Sequence, residues 1–265
     1  MVFNMDLGEN LSNSLEYAKK MARDAGRWAL LIVLGVIPIV NWIVMGYWAR
    51  VVKETPASEE PPRLEGYGSM WVQGIKIIVA GIIYMIIPIA LIVAGLATAI
   101  PWGMMRRPMA GLTAFPFLSG LALVMFTVAV VVSFLIAIIA VMGIVHMIKQ
   151  DRFTKAFAVS EILATIGRIG WGSYILWLIV LFVISMIYSL IGGIPYIGWL
   201  ITLVLSPLFL VFTARSAALT YEAGRKPSVA EELAEAPSGG YKFCMECGAR
   251  IPAEAEYCPK CGAKQ

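Results

Sequence analysis

Ahead of residue 244 the chain contains no cysteine, and in all 265 residues it contains one histidine, His146. The first absence removes disulfide staples and thiol nucleophiles from the whole body of the sequence. The second excludes a metal centre built from several imidazoles. Charge is scarce too: 14% of residues are Asp, Glu, Lys or Arg, 60% are hydrophobic, and mean hydropathy is +0.80. A soluble domain is roughly half apolar and a quarter charged. The composition therefore excludes a large soluble core and leaves a helical integral membrane protein. No ionisable residue falls in the middle of an apolar run, where a transport path or proton relay would need one. Lys76, His146 and Arg215 lie within a turn or two of run ends. Snorkelling accounts for the two cations, and the lone histidine reads as structural. Paired carboxylates at membrane depth are missing, and so is a serine with a base beside it. The chain is expected not to be an enzyme, with no catalytic residue. A cleavable leader is missing as well: the first apolar run starts at Trp28, behind Lys19, Lys20, Arg23 and Arg27, with no small-residue cleavage pattern.

What is present is a series of long apolar runs. Residues 1–27 carry an amphipathic helix over 9–27, with Leu11, Leu15, Ala18, Ala22 and Ala25 at three- and four-residue spacing, suited to a membrane interface. Residues 28–222 form the transmembrane domain. Its first run, 28–50, has Pro38 and Asn41 in the middle and reads as one kinked helix or as a short re-entrant hairpin. A polar loop over 53–70 contains Pro56, Pro61 and Pro62. Full spans follow at 74–100, 117–148, 171–190 and 199–218. The run at 117–148 exceeds one crossing, so it tilts, breaks or leaves the membrane. Trp28, Trp48, Trp71, Trp102, Trp171 and Trp199 sit near run ends, as interface anchors do.

The positive charges discriminate between topologies. Four Lys or Arg precede Trp28, four lie over 50–76 (Arg50, Lys53, Arg63, Lys76), and four over 149–168 (Lys149, Arg152, Lys155, Arg168). The loop 101–116 has Arg106 and Arg107, and the turn 191–198 has none. If 28–50 crossed once, one rich segment would lie outside. A hairpin plus four full spans places every rich segment, and both termini, in the cytoplasm. The protein is thus expected in the cell membrane as a multi-pass protein. An internal echo agrees: Ile37-Pro38-x-Val40-x-Trp42 matches Ile194-Pro195-x-Ile197-x-Trp199, with roughly half-length arms around the first copy.

The string Ile37-Pro38-Ile39-Val40-Asn41-Trp42, then Gly46-Tyr47, Arg50-Val51-Val52, Pro61-Pro62-x-Leu64 and Gly74-Ile75-Lys76, resembles an archaeal-type membrane family known only as domain of unknown function 4013. The resemblance covers about residues 9–222. It departs at Glu65-Gly66-Tyr67-Gly68-Ser69-Met70-Trp71, which is poorer in acid than the family's pattern. It implies a polytopic helical domain and carries no activity or functional residues.

Residues 223–240 are a linker by composition, with a capping box at Ser228-Val229-Ala230-Glu231 that predicts a short helix over 229–236. Residues 241–265 contain all four cysteines, as Cys244-x2-Cys247-x10-Cys258-x2-Cys261, each pair followed by glycine. Two CxxC knuckles supply the four soft ligands of a closed tetrahedral Zn²⁺ site, and this segment is similar to the minimal zinc ribbon of many prokaryotic proteins. Two disulfides would need an oxidising compartment, and a redox CxxC would need a βαβ context. With four thiolates on Zn²⁺, three acidic side chains and the terminal carboxylate, the segment is net negative, which argues against nucleic acid.

The sequence therefore predicts an all-α polytopic membrane protein with a small C-terminal zinc-ribbon module. Its expected partners are the lipid bilayer, a protein docked through the ribbon or the bundle, and further copies of itself. The expected role is a non-enzymatic scaffold or adaptor. The alternative is a channel or transporter for a small solute or lipid, with the broken first hairpin and Asn41 lining the path.

Overall fold

The computed structural model describes residues 6–99, 120–225, 241–252 and 255–264. The chain divides into two compact units, Met1–Gly224 and Arg225–Gln265. The first comprises α1 (Leu7–Met21), α2 (Ala25–Val36), α3 (Trp42–Glu54), α4 (Tyr67–Ala99), α5 (Gly120–Gln150), a 3-10 turn (Phe153–Phe157), α6 (Val159–Ile169), α7 (Trp171–Gly192) and α8 (Gly198–Gly224). The loop expected over 101–116, with Trp102, and the linker helix expected over 229–236 lie outside the described residues.

The predicted amphipathic helix ends earlier than the 9–27 expected. It stops at Met21, and the Asp24 carboxylate accepts the Arg27 N–H at 3.0 Å to start α2. The buried side of α1 is Asn10, Ser14, Tyr17, Ala18 and Met21, while Leu15 is 50% exposed and Ala22 and Ala25 are exposed. The reason is a polar seam with α8. Asn10 Nδ2 donates to the Ser216 carbonyl (3.3 Å) and to Thr220 Oγ1 (3.2 Å), and Ser216 Oγ donates back to Asn10 Oδ1 (2.7 Å). Trp177 Nε1 closes the network on Ser216 Oγ at 2.8 Å. In a low-dielectric interior such a network outweighs the apolar stripe, which is left for lipid.

The run 28–50 is a hairpin. Arg27 Nη1 and the Tyr47 hydroxyl both donate to the Pro62 carbonyl, at 3.3 and 2.9 Å. In one continuous helix those residues would stand about 30 Å apart. The helices on either side of its turn have 12 and 13 residues, short of a bilayer core. The echo noted in the sequence is an echo in geometry. Asn41 N–H bonds the Ile37 carbonyl at 3.0 Å, as Gly198 N–H bonds that of Ile194 at 2.9 Å. The residue after each proline, Ile39 and Tyr196, has φ of 70° and 67°. Left-handed backbone is costly for a β-branched residue such as Ile39 and for a bulky one such as Tyr196, so each turn is imposed by the helix pair it joins.

Four helices, α4, α5, α7 and α8, are long and apolar enough to cross a bilayer. This is a multi-pass helical membrane protein. α5 runs unbroken for 31 residues, about 46 Å, so it outlasts the membrane rather than breaking in it. Its last part, Met142 to Ile148, enters a core with Tyr47, Val51, Ile162, Trp177 and Val211. The other halves of the long helices expose Ile86, Val93, Phe134, Phe182 and Leu190, which suits contact with acyl chains.

Candidate functional site

Proline has no N–H, so a loop with Pro56, Pro61 and Pro62 cannot by itself satisfy all of its carbonyls, although Ser58 Oγ donates to Glu60 (2.7 Å) and the Glu65 N–H to Arg63 (3.1 Å). Seven side chains from five helices supply further donors. Lys149 donates to the Thr55 carbonyl, Arg215 to Ser58 (2.8 Å), Lys20 to Glu59 (2.9 Å) and Tyr17 to Glu60 (3.0 Å). Arg27 takes Pro61 (2.7 Å), Tyr47 takes Pro62 (2.9 Å), and Arg50 takes Arg63 (3.1 Å) and Glu65 (2.6 Å). Lys20, Arg27, Arg50 and Lys149, drawn from all three of the basic segments counted above for topology, thus converge on one loop with Arg215. Segments bonded to the same loop share one side of a bilayer, which sets aside a single crossing by 28–50.

Arg215 is only 4% exposed and does not snorkel to water. Its Nε donates to Asn13 Oδ1 at 3.1 Å, its Nη1 to Thr55 Oγ1 at 3.3 Å, and its guanidinium carbon lies 4.5 Å above the Tyr17 ring. Burial pushes the Tyr17 phenol up to about 12, so it stays a donor to the loop. His146 joins α5 to α8 and α6: Nδ1 lies 2.8 Å from the Tyr221 hydroxyl and Nε2 3.1 Å from Glu161 Oε2. Lys155, and after it His146, hold the Glu161 carboxyl below its usual range. Three of the tryptophans read as anchors also staple helices. Trp28 donates to the Val204 carbonyl (2.8 Å), Trp48 to Thr213 Oγ1 (3.3 Å) and Trp71 to the Ile39 carbonyl (3.3 Å).

Two glycines among the residues carrying the family resemblance now have roles. A Cβ on Gly46 would overlap the Met70 carbonyl, and one on Gly74 would overlap that of Trp42. The two glycines let α3 and α4 touch backbone to backbone. Asn41 is exposed in the hairpin turn and makes no side-chain cap bond to α3. It lines a groove of about 710 Å³ with Tyr188, Ser189, Thr202 and Ser206, otherwise walled by apolar residues such as Leu31 and Leu203.

The second unit is built around thiols. Strands β1 (Tyr241–Phe243) and β2 (Arg250–Pro252) pair antiparallel, Phe243 opposite Arg250. Each knuckle makes the same turn. Cys244 N–H bonds the Ala249 carbonyl and Gly248 N–H that of Cys244, at 2.8 and 2.9 Å. Cys258 with Ala263, and Gly262 with Cys258, repeat this at 2.8 and 2.8 Å. The turn needs φ of 66° at Gly248 and 74° at Gly262, which explains the glycine after each pair. The sulfurs of Cys244, Cys247, Cys258 and Cys261 lie within 4.8 Å of one another, with 3.5 Å between Cys244 and Cys261 and 3.7 Å between Cys247 and Cys258. A tetrahedral ion with metal–sulfur bonds of about 2.3 Å needs edges of about 3.8 Å, so the donor set fits. The Cys247 N–H, helped by that of Glu246, holds the Cys244 thiol down at about 6, which favours the thiolate a metal requires. Around the thiols the core is thin: Ile251 is the one fully buried aliphatic side chain among the described residues of this unit.

Residues 243–265 match the family model described as a zinc-ribbon domain. No curated protein and no solved structure matches the chain. Residues 30–197 match the model described as a protein of unknown function, DUF4013, a narrower stretch than the 9–222 that the resemblance covered. That match takes in more than half of the sequence, including the hairpin, its Gly46 and Gly74 crossing, the carbonyl-rich loop and three of the four long helices, and the chain belongs to the DUF4013 family.

Proposed function

We propose that the protein is a non-enzymatic scaffold of the cell membrane, with both termini cytoplasmic. In this reading its ribbon binds Zn²⁺ through Cys244, Cys247, Cys258 and Cys261 and docks a partner protein. The observation that carries the reading is the ribbon's division of labour. Its few buried side chains are spent on the thiol cluster, while Phe243, Met245 and Tyr257 are 63, 92 and 58% exposed. A module that folds on its metal and shows apolar side chains to solvent is suited to presenting a surface. Its net negative charge favours a protein over nucleic acid. The membrane unit supports the same reading, because the buried Arg215 and His146 are both spent on joining elements. The convergence of the cations on one loop supports a single cytoplasmic side.

The test is co-purification of the full chain from native membranes in mild detergent, with zinc and oligomeric state measured on the same sample. A stoichiometric protein is expected, lost in Met245→Asp while zinc is retained. A partner that stays bound to Met245→Asp, or purified protein that moves a solute across liposomes, would refute the docking role.

A second reading, a path for a small solute or lipid, has one observation in its favour. The groove at Asn41 gathers an amide, a phenol and three hydroxyls between apolar walls. Under it, Asn41→Leu removes flux in proteoliposomes without altering the melting temperature. Equal flux in variant and parent would take Asn41 out of any pore.

A further inference from the structure

Among the residues that carry the family resemblance, the interactions described so far leave Lys76 without a task. It is half-buried, in the third turn of α4, and no described side chain or carbonyl hydrogen-bonds or ion-pairs with its ammonium group. Asp151, whose charge it feels, is bonded to Lys53 instead, at 2.8 Å. Lys76 faces a groove of about 520 Å³ where α3 and α4 diverge from their glycine crossing. Arg50 and Lys53 of α3 line it, with Ser69 and Gln73 of α4. Glu54 and Asp151 are its two acids, and Lys53 neutralises the second, so the lining is net positive. Arg50 is already oriented. The Arg63 and Glu65 carbonyls hold its Nη1, and its Nη2 and Nε bond no described group.

We propose that this groove binds a phosphate-bearing anion at the membrane surface, with Lys76 and Arg50 as its cations. Three features select phosphate. Two separated cations suit a tetrahedral group with several oxygens better than a flat carboxylate. The start of α4 adds positive potential to the same groove. Exposed Tyr67 and Trp71 flank its lining residues along α4, and Trp71 stacks on Trp42 with ring centroids 5.7 Å apart. Aromatic belts of that kind mark headgroup depth, and basic clefts between helices at that depth take lipid phosphates. The chemistry is shared by an anionic lipid headgroup and a free phosphate ester.

The full chain is reconstituted in phosphatidylcholine vesicles that contain a small fraction of spin-labelled phosphatidylglycerol, and the motionally restricted lipid is titrated. Lys76→Gln is expected to weaken the association about fivefold, and Lys76→Arg to restore it. Both variants are checked for an unchanged thermal transition. Glycerol phosphate is then added to the parent. Displacement of the label identifies a site open to free phosphate esters, and retention identifies a headgroup site. Equal restriction of the label by the parent and Lys76→Gln, together with no binding of glycerol phosphate, overturns the proposal. So does a loss in Lys76→Gln that Lys76→Arg fails to repair.

Discussion

Changing Cys258 to serine is expected to empty and unfold the ribbon while the membrane unit melts as before. Cys258 is 2% exposed, and its N–H and carbonyl close the second knuckle on Ala263 and Gly262. With so little apolar burial, the free energy that orders this unit must come from the metal. Structural Zn²⁺ supplies on the order of 10 kcal/mol, far more than the burial of Ile251 can return. Metal analysis of the intact protein should fall from about one zinc per chain to a trace. Limited proteolysis should cut residues 241–265 quickly in the variant and slowly in the parent. A variant that keeps stoichiometric zinc and a resistant tail would rule out the four-thiolate site.

The second large effect is expected at Arg215, in the other unit. Replacing it by methionine keeps much of the stem and removes every donor. The Ser58 carbonyl, Thr55 Oγ1 and Asn13 Oδ1 then lose their guanidinium partner, and the Tyr17 ring loses its cation. Hydrogen bonds to a charged group and a desolvated cation–π contact together make a loss of about 3 kcal/mol reasonable. For a unit of this size that lowers the apparent melting temperature by roughly 10 °C. Cleavage between 56 and 65 should quicken, because Arg215 and its fellow donors are what fix that loop. Arg215→Lys should recover only part of the loss, since an ammonium cannot reach Asn13 and Ser58 at once as the planar fork does. A melting temperature within a degree or two of the parent would show that the loop does not depend on Arg215.

The resemblance to a known family was visible from short strings, yet those strings gave no hint of why they hold together. Nothing in the sequence pairs Gly46 with Gly74 until α3 and α4 are seen to touch at both. The apolar spacing of α1 marked its stripe for the membrane interface but gave no sign of what its other face does: Asn10, Ser14 and Tyr17 go inside on a polar network, and Leu15 stays out. Arg215 was misread for a related reason. A cation near a span end normally reaches water, and only the folded loop supplies carbonyls closer than water.

By itself the sequence determined what depends on unbroken runs and fixed short spacings. Apolar stretches set the four long helices, because lipid admits no other backbone. Cys-x2-Cys twice, each with its glycine, set the metal knuckles, because the coordination sphere is local. Tertiary structure alone decided how the run at 28–50 returns and which donors meet the loop at 55–65. Every residue carries a carbonyl, so a set of carbonyls leaves no mark in composition. Its donors come from positions as far apart as Tyr17 and Arg215, and no local pattern joins them. The same holds for Lys76 and Arg50, which a helix crossing brings to one groove.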